Sequence, residues 1–203
     1  MKREWTSFGL KDQTAIVTGA SQGIGRTLAI ALAQAGVDVT LASRTRADLE
    51  MVAKEIEAAG RKALVIPTDL QDVSQIRKLV KAVHKTFGKI DILINNAAWT
   101  ATVEALEATE EQWDQTLDTS LKAVFFACQA VAKIMIEQGR GKIVNIGSTL
   151  GRTAFARRSV YGAAKAGVHH LTRVLALEWA AKGIHVNAVA PCITETPTRR
   201  ELF

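Results

Sequence analysis

Tyr161 and Lys165 stand four residues apart in a helical pattern, a spacing that points both side chains from one helix face. A free phenol ionises near pH 10, too high for an efficient base at neutral pH. A nearby ammonium stabilises the phenolate and brings that value down. Thirteen residues upstream, Ser148 follows a strand-like run that can present its hydroxyl at the C-terminal edge of a sheet. Open α/β sheets bind ligands at that edge, and a hydroxyl there can hydrogen-bond a substrate carbonyl oxygen. Tyr161 is the only tyrosine in the chain, so no other phenol competes for the part. The plain alternative is a helix tyrosine packed on a lysine stem.

A second chemical signal lies near the N-terminus, in Thr18-Gly19-Ala20-Ser21-Gln22-Gly23-Ile24-Gly25. Glycines let a backbone turn sharply and come close to a pyrophosphate, and the helix that follows attracts negative charge to its N-terminus. The run follows a strand pattern and opens a helix pattern, the context a dinucleotide-binding turn requires. Its spacing is Gly-x-x-x-Gly-x-Gly. A tight turn that binds nothing is the alternative.

The elements that must position these residues alternate along the chain. Nearly continuous apolar runs at 14–18, 37–42, 63–67, 90–94, 142–146 and 184–189 predict strands covered on both faces. Between them, Leu49, Val52 and Ile56, then Val73, Ile76, Leu79, Val80, Val83 and Phe87, recur at helical steps. Asp72 with Gln75 and Thr109 with Gln112 resemble capping boxes, and Gly36, Gly60, Gly88, Gly139 and Gly183 stand where helices should stop. The pattern predicts a single α/β domain over 1–203: a doubly wound parallel sheet of the Rossmann type.

With these motifs in order, the chain resembles the classical short-chain dehydrogenase/reductase family. The resemblance rests on Thr18-Gly19-x-x-x-Gly23-x-Gly25, Asn95-Asn96-Ala97-Ala98, Ser148, Tyr161-x-x-x-Lys165 and Asn187-x-x-x-Pro191, which together span about residues 12–197. It implies hydride exchange between a nicotinamide cofactor and a secondary alcohol or ketone. Tyr161 would pass the proton, Lys165 would lower the tyrosine pKa and bind the nicotinamide ribose, and Ser148 would hold the carbonyl oxygen. It also implies that Gly19, Ser21, Gly23, Ile24 and Gly25 cradle the cofactor. Asp69 and Leu70 would flank the adenine, Asn96 and Ala97 would line its ribose, and Pro191, Ile193 and Thr196 would face the nicotinamide carboxamide and phosphates.

The end of the second strand reads Leu41-Ala42-Ser43-Arg44, with no acidic residue to accept from a ribose 2′-hydroxyl, and Asp38 stands too early. Ser43 and Arg44 suit a 2′-phosphate, so NADP is favoured over NAD. Gln22 sits where NADP-binding relatives often carry a second base.

Three positions depart from the family pattern. Ser120 stands where an asparagine usually distorts a helix and exposes a carbonyl that holds a relay water; a serine can distort a helix by back-bonding. Cys192 replaces a glycine after Pro191, a strained exchange if that position needs positive φ, and it reads as a small apolar filler. The sequence ends at Phe203, short of the helix and seventh strand of relatives, so the sheet is expected to lack them.

Composition bounds the remainder. A 203-residue chain with 48% hydrophobic and 23% charged residues supplies a core. The net charge of +6 is spread in short pairs, Arg157-Arg158 and Arg199-Arg200 among them, and aromatics are 5%, which argues against a nucleic-acid partner. No uninterrupted apolar run approaches a membrane span, no signal peptide pattern opens the chain, and two cysteines suit a reducing cytoplasm. His169 and His170 read as surface or interface residues, with no metal-ligand spacing. Helical segments 109–138 and 159–182 resemble those by which relatives form homodimers and homotetramers. Arg152, Arg157 and Arg158 read as a solvated rim, or as attraction for an anionic substrate. Trp99 either lines the pocket or closes a loop. The nearest types are sugar-acid (gluconate-type) dehydrogenases and 3-oxoacyl-acyl-carrier-protein reductases. The expected function is NADP-dependent oxidoreduction of a small sugar acid, polyol or 3-oxoacyl substrate; the alternative is a dinucleotide-binding protein with little turnover.

Overall fold

The structure, a computed structural model, describes residues 9–196. The N-terminal stretch before Gly9, the Arg199-Arg200 pair and the end at Phe203 lie outside the described residues. Six strands run in the order β1 Thr14–Thr18, β2 Asp38–Ser43, β3 Ala63–Pro67, β4 Ile92–Asn95, β5 Gly141–Ile146 and β6 Ile184–Val189. Six helices separate them: α1 Gly23–Gln34, α2 Arg46–Ala58, α3 Val73–Phe87, α4 Glu110–Leu117, α5 Ala123–Gln138 and α6 Ser159–Trp179. The strands form one sheet, β3-β2-β1-β4-β5-β6, in which every pairing is parallel. This is the Rossmann-type doubly wound sheet expected. The strand order reverses between β1 and β4, which opens a crevice at the carboxyl ends of those strands.

Two apolar layers hold the sheet. On one face Ala29 and Ala33 of α1 and Leu49, Val52 and Ile56 of α2 pack on Val17, Val39, Leu41 and Ile94. On the other face α3, α5 and α6 cover Ile16, Leu93, Ile143, Ile184 and Val186. The two outermost strands on the β6 side depart from the expectation of cover on both faces. Lys142, His185, Asn187 and Val189 share the α1/α2 side of β5 and β6 and are exposed, because the layer under α1 and α2 reaches β5 only at Val144 and Ile146 and does not extend over β6.

Helix ends follow local chemistry. Gly36, Gly60, Gly88, Gly139 and Gly183 all adopt positive φ, where a side chain would be strained. Thr109 and Gln112 complete a reciprocal capping box. Asp72 instead accepts from Ser74 N at 2.7 Å, while Gln75 reaches its other carboxylate oxygen. The run Glu110–Gln138 is long and apolar enough to cross a membrane by length and composition. Its Val124, Ala127, Cys128, Val131 and Met135 pack into the core.

Candidate active site

Gly19 and Gly23 take φ of +62° and +55°, so the chain after β1 bends in a way side chains rarely allow. A Cβ on Gly19 would come within 2.9 Å of Ala97 Cα. A Cβ on Gly25 would collide with the Gly19 carbonyl oxygen and the Asn96 side chain, so this glycine seats α1 on the turn rather than lining the cleft. Asn96 fixes the turn from the far side: its amide donates to the carbonyls of Thr18 and Gly19 at 3.0 and 3.1 Å. The Thr18 hydroxyl accepts from Asn96 N at 3.0 Å.

This turn forms one wall of a cleft of about 400 Å³. Gly19, Ser21, Gly23 and Ile24 line it together with Ser43, Arg44, Asp69, Leu70, Asn96, Ala97, Tyr161 and Thr196. Sequence reading missed Thr68, Gln71, Gln115 and Thr119, whose types carry no motif; Gln22 and Trp99 also reach the cleft. Asp69 is held in place by Gln75, which accepts from its N–H at 2.8 Å, and one Asp69 carboxylate oxygen accepts from Gln71 N at 3.0 Å. Asp38 lies at the other end of β2, bonded to Arg61 and to Lys62 N, and takes no part.

The cleft's dinucleotide fit can be judged from its polar atoms. The Ser43 hydroxyl is buried with no hydrogen-bond partner among the described residues, and Arg44 beside it is exposed with no carboxylate partner among them. A buried hydroxyl left unpaired next to a free guanidinium, on a glycine turn at a helix N-terminus, suits a phosphorylated ligand.

A second chamber of about 540 Å³ opens from the first, and Ile24, Asn96, Ala98, Tyr161 and Thr196 border both. Ser148, Lys165, Pro191, Cys192 and Ile193 line only the second. Ser148 is buried, and its Oγ accepts from Leu150 N at 3.1 Å, which fixes the short turn Thr149–Gly151. Lys165 is 2% exposed; its Nζ donates to the Ile146 carbonyl at 2.6 Å and lies 5.7 Å from the centre of the Tyr161 ring. Ser148, Tyr161 and Lys165 therefore converge on one place.

Electrostatics there differ from the sequence expectation. Burial pushes the Tyr161 phenol above its ordinary value, while a hydrogen bond with Ser148 and the charge of Arg158 pull the other way. Burial also brings the Lys165 ammonium down to about 8. The protein's own groups thus keep Tyr161 protonated at neutral pH, as a proton donor needs. His169, one turn beyond Lys165, is half-buried with both ring nitrogens inaccessible and unpartnered among the described residues, and burial lowers its pKa.

Two of the departures from the family pattern have local structural explanations. Asp118–Lys122 forms a wide helical turn between α4 and α5, so the helix is distorted where the pattern expected. Ser120 lies in that turn but does not back-bond: its Oγ accepts from Trp99 N at 3.1 Å and donates to Trp99 O at 3.0 Å, clamping the loop after β4. Positive φ outside glycine occurs only at Asp12 and Arg157 among the described residues, so Cys192 sits without that strain. Cys192 is exposed, not a core filler, because it follows Pro191 on the chamber's outer wall.

Residues 13–203 match the family described as short chain dehydrogenase. The chain belongs to that family. Short-chain dehydrogenases act at CH–OH and C=O groups with a nicotinamide dinucleotide. The gluconate 5-dehydrogenase of Gluconobacter oxydans is 41% identical over 184 residues, 91% of this chain and 72% of that protein. The 3-oxoacyl-[acyl-carrier-protein] reductase FabG of Staphylococcus aureus is 38% identical over 180 residues, 88% of this chain and 73% of that one. The solved structure of a point variant of actinorhodin polyketide ketoreductase with NADPH superposes with a TM-score of 0.91 at 37% identity, over 94% of this chain and 74% of that chain.

Proposed function

We propose that this short-chain dehydrogenase interconverts a secondary alcohol and a ketone with NADP(H), as one dinucleotide-binding and catalytic unit. The observation that carries the reading is that the cleft beside the glycine turn and the second chamber meet at Tyr161, with Ser148 and Lys165 beside it. Bound NADP(H) supplies or accepts the hydride.

In the reducing direction Tyr161, held protonated by burial, donates its proton to the carbonyl oxygen. The Ser148 hydroxyl donates a hydrogen bond to the same oxygen and stabilises its developing charge. Lys165 holds α6 against the end of β5 through Ile146 and keeps a positive charge near the phenol, which steadies the phenolate left when the proton leaves. In the oxidising direction the same groups run in reverse. Ser43 and Arg44 would hold the 2′-phosphate, Asp69 and Leu70 the adenine, Asn96 and Ala97 the ribose, and Pro191, Ile193 and Thr196 the nicotinamide end. The gluconate 5-dehydrogenase and FabG likenesses support a sugar acid, a polyol or a 3-oxoacyl group as substrate.

Exposed Trp113 on α4, Phe125 on α5 and Leu177 on α6 support assembly into a homodimer or homotetramer. Two free thiols, Cys128 and Cys192, suit a reducing cytoplasm.

Titration with NADPH by nucleotide fluorescence, followed by turnover on oxo acids, ketosugars and acyl thioesters, tests the reading. Binding with turnover supports it. Binding without turnover on any substrate would favour a nucleotide-binding protein, and no binding at millimolar NADPH would discard both.

A further inference from the structure

Three arginines lie between Ser148 and Tyr161, and the structure sends them to different places. Arg152 is exposed and borders neither cavity. Arg157 adopts φ of +66°, its carbonyl accepts from Val103 N at 3.2 Å, and its guanidinium pairs with Glu104 at 3.7 Å. That turn delivers the next residue inward. Arg158 is half-buried and lines the second chamber with Thr100, Ser148, Phe155, Tyr161 and Ile193. Its Nη1 donates to Thr100 Oγ1 at 3.1 Å, and no carboxylate among the described residues pairs with it.

A guanidinium offers five N–H donors in a planar fork that matches a carboxylate with two parallel bonds. One donor meets Thr100. The residue lines a chamber whose walls are largely apolar, where an unpaired cation is costly and an anionic ligand offsets the cost. Arg158 is also the N-cap of the 21-residue α6 and makes no capping bond with its side chain, so the positive end of that helix adds to the guanidinium's field. Arg158 and Tyr161 line the same chamber, and the guanidinium's charge is felt at the phenol. A chamber of about 540 Å³ is of the size that takes a small molecule whole.

We infer that Arg158 is the carboxylate-binding residue of this site, and that the chamber takes a small oxo or hydroxy acid in preference to a neutral ketone or alcohol. The inference rests on the reading of this chamber as the place of alcohol–ketone exchange, and it adds the charge of the substrate and the residue that selects it.

The test uses matched pairs that differ only in charge: D-gluconate against D-gluconamide, and small 2-oxo and 3-oxo acids against their amides. Binding to the protein saturated with NADP+ is read by calorimetry, and kcat/KM is read wherever turnover occurs. The wild-type protein is expected to favour at least one acid over its amide by roughly 10- to 100-fold. Arg158→Gln should collapse that ratio to near one through KM, and Arg158→Lys should keep part of it. NADPH titration of each variant checks that the cleft is still formed, since Arg158 does not line it. A ratio that survives Arg158→Gln, or a wild-type protein that favours no acid in either readout, would overturn the inference. Turnover without charge selectivity would sink Arg158's part while leaving the reaction standing. Charge-selective binding without any turnover would sink the reaction while leaving Arg158's part standing.

Discussion

The Lys165 ammonium donates to the carbonyl oxygen of Ile146 across 2.6 Å in a buried setting. Ile146 ends β5 two residues before Ser148, and Lys165 lies one helical turn after Tyr161. One charge-assisted contact therefore sets the strand that delivers the hydroxyl against the helix that delivers the phenol.

That arrangement has a cost. Burial lowers the Lys165 pKa to about 8 from an ordinary 10.5, so the unfolded chain binds more protons than the folded one between those values. Stability from this group is therefore lowest below pH 8 and recovers as pH rises toward 10.5. Lys165→Met should abolish turnover; it removes the burial penalty but also strands the Ile146 carbonyl, so its stability relative to wild type should be highest near pH 7 and fall as pH approaches 10. Urea denaturation of both proteins at pH 7 and pH 9.5 checks this, and a difference that does not change with pH would contradict it.

Because Tyr161 is the only tyrosine, its ionisation can be followed without assignment by absorbance at 295 nm. Burial raises its pKa, and Ser148 and Arg158 lower it. The midpoint should lie above 10 in the folded protein and rise further in Ser148→Ala and in Arg158→Gln. A midpoint at or below 10 without nucleotide would show that the ammonium outweighs burial.

Much of this was legible in the sequence. The strands at 14–18, 63–67 and 184–189 match β1, β3 and β6 residue for residue. The other three shift by one or two residues, and at both ends of β4 the reason is visible. Ile90 is apolar and buried, but its N–H bonds the Gln138 side chain before the sheet ladder begins. Asn95 is polar yet closes β4, because its amide finds Asn145 at 2.9 Å inside the core. What the chain hid was tertiary. The clamp between Ser120 and Trp99 joins residues 21 apart with no shared period. The division of labour among Arg152, Arg157 and Arg158 depends on a left-handed residue at Arg157 that local sequence does not signal.

The Asn95–Asn145 contact continues: Asn145 Nδ2 donates to Thr172 Oγ1 at 3.0 Å, and Thr172 donates to Val168 O at 2.7 Å. This buried chain ties β4 and β5 to α6 below Lys165. Asn145→Ala leaves the Asn95 amide only the weak Cys128 sulfur acceptor and frees Thr172 from its donor, and should cost about 1–3 kcal/mol. It should also lower kcat more than it raises KM, because it loosens Tyr161 against Ser148 without touching substrate. Chemical denaturation and steady-state kinetics read the two effects; an unchanged kcat would show that the chain is structural only.

Arg44 gives a separate check on the nucleotide. Arg44→Asp should move the kcat/KM ratio of NADPH to NADH toward NADH by roughly 100-fold or more, since it removes a phosphate partner and adds a repelling charge. An unchanged ratio would place the 2′-phosphate elsewhere.

Tyr161→Phe in the presence of NADPH and a ketone that the wild-type protein reduces is the most direct trial of the mechanism. The phenyl ring keeps the packing and removes only the hydroxyl that carries the proton. Nucleotide affinity should stay within about twofold, and kcat should fall by roughly 100- to 10,000-fold. Turnover at the wild-type rate, with the nucleotide still bound, would mean that some other group delivers the proton.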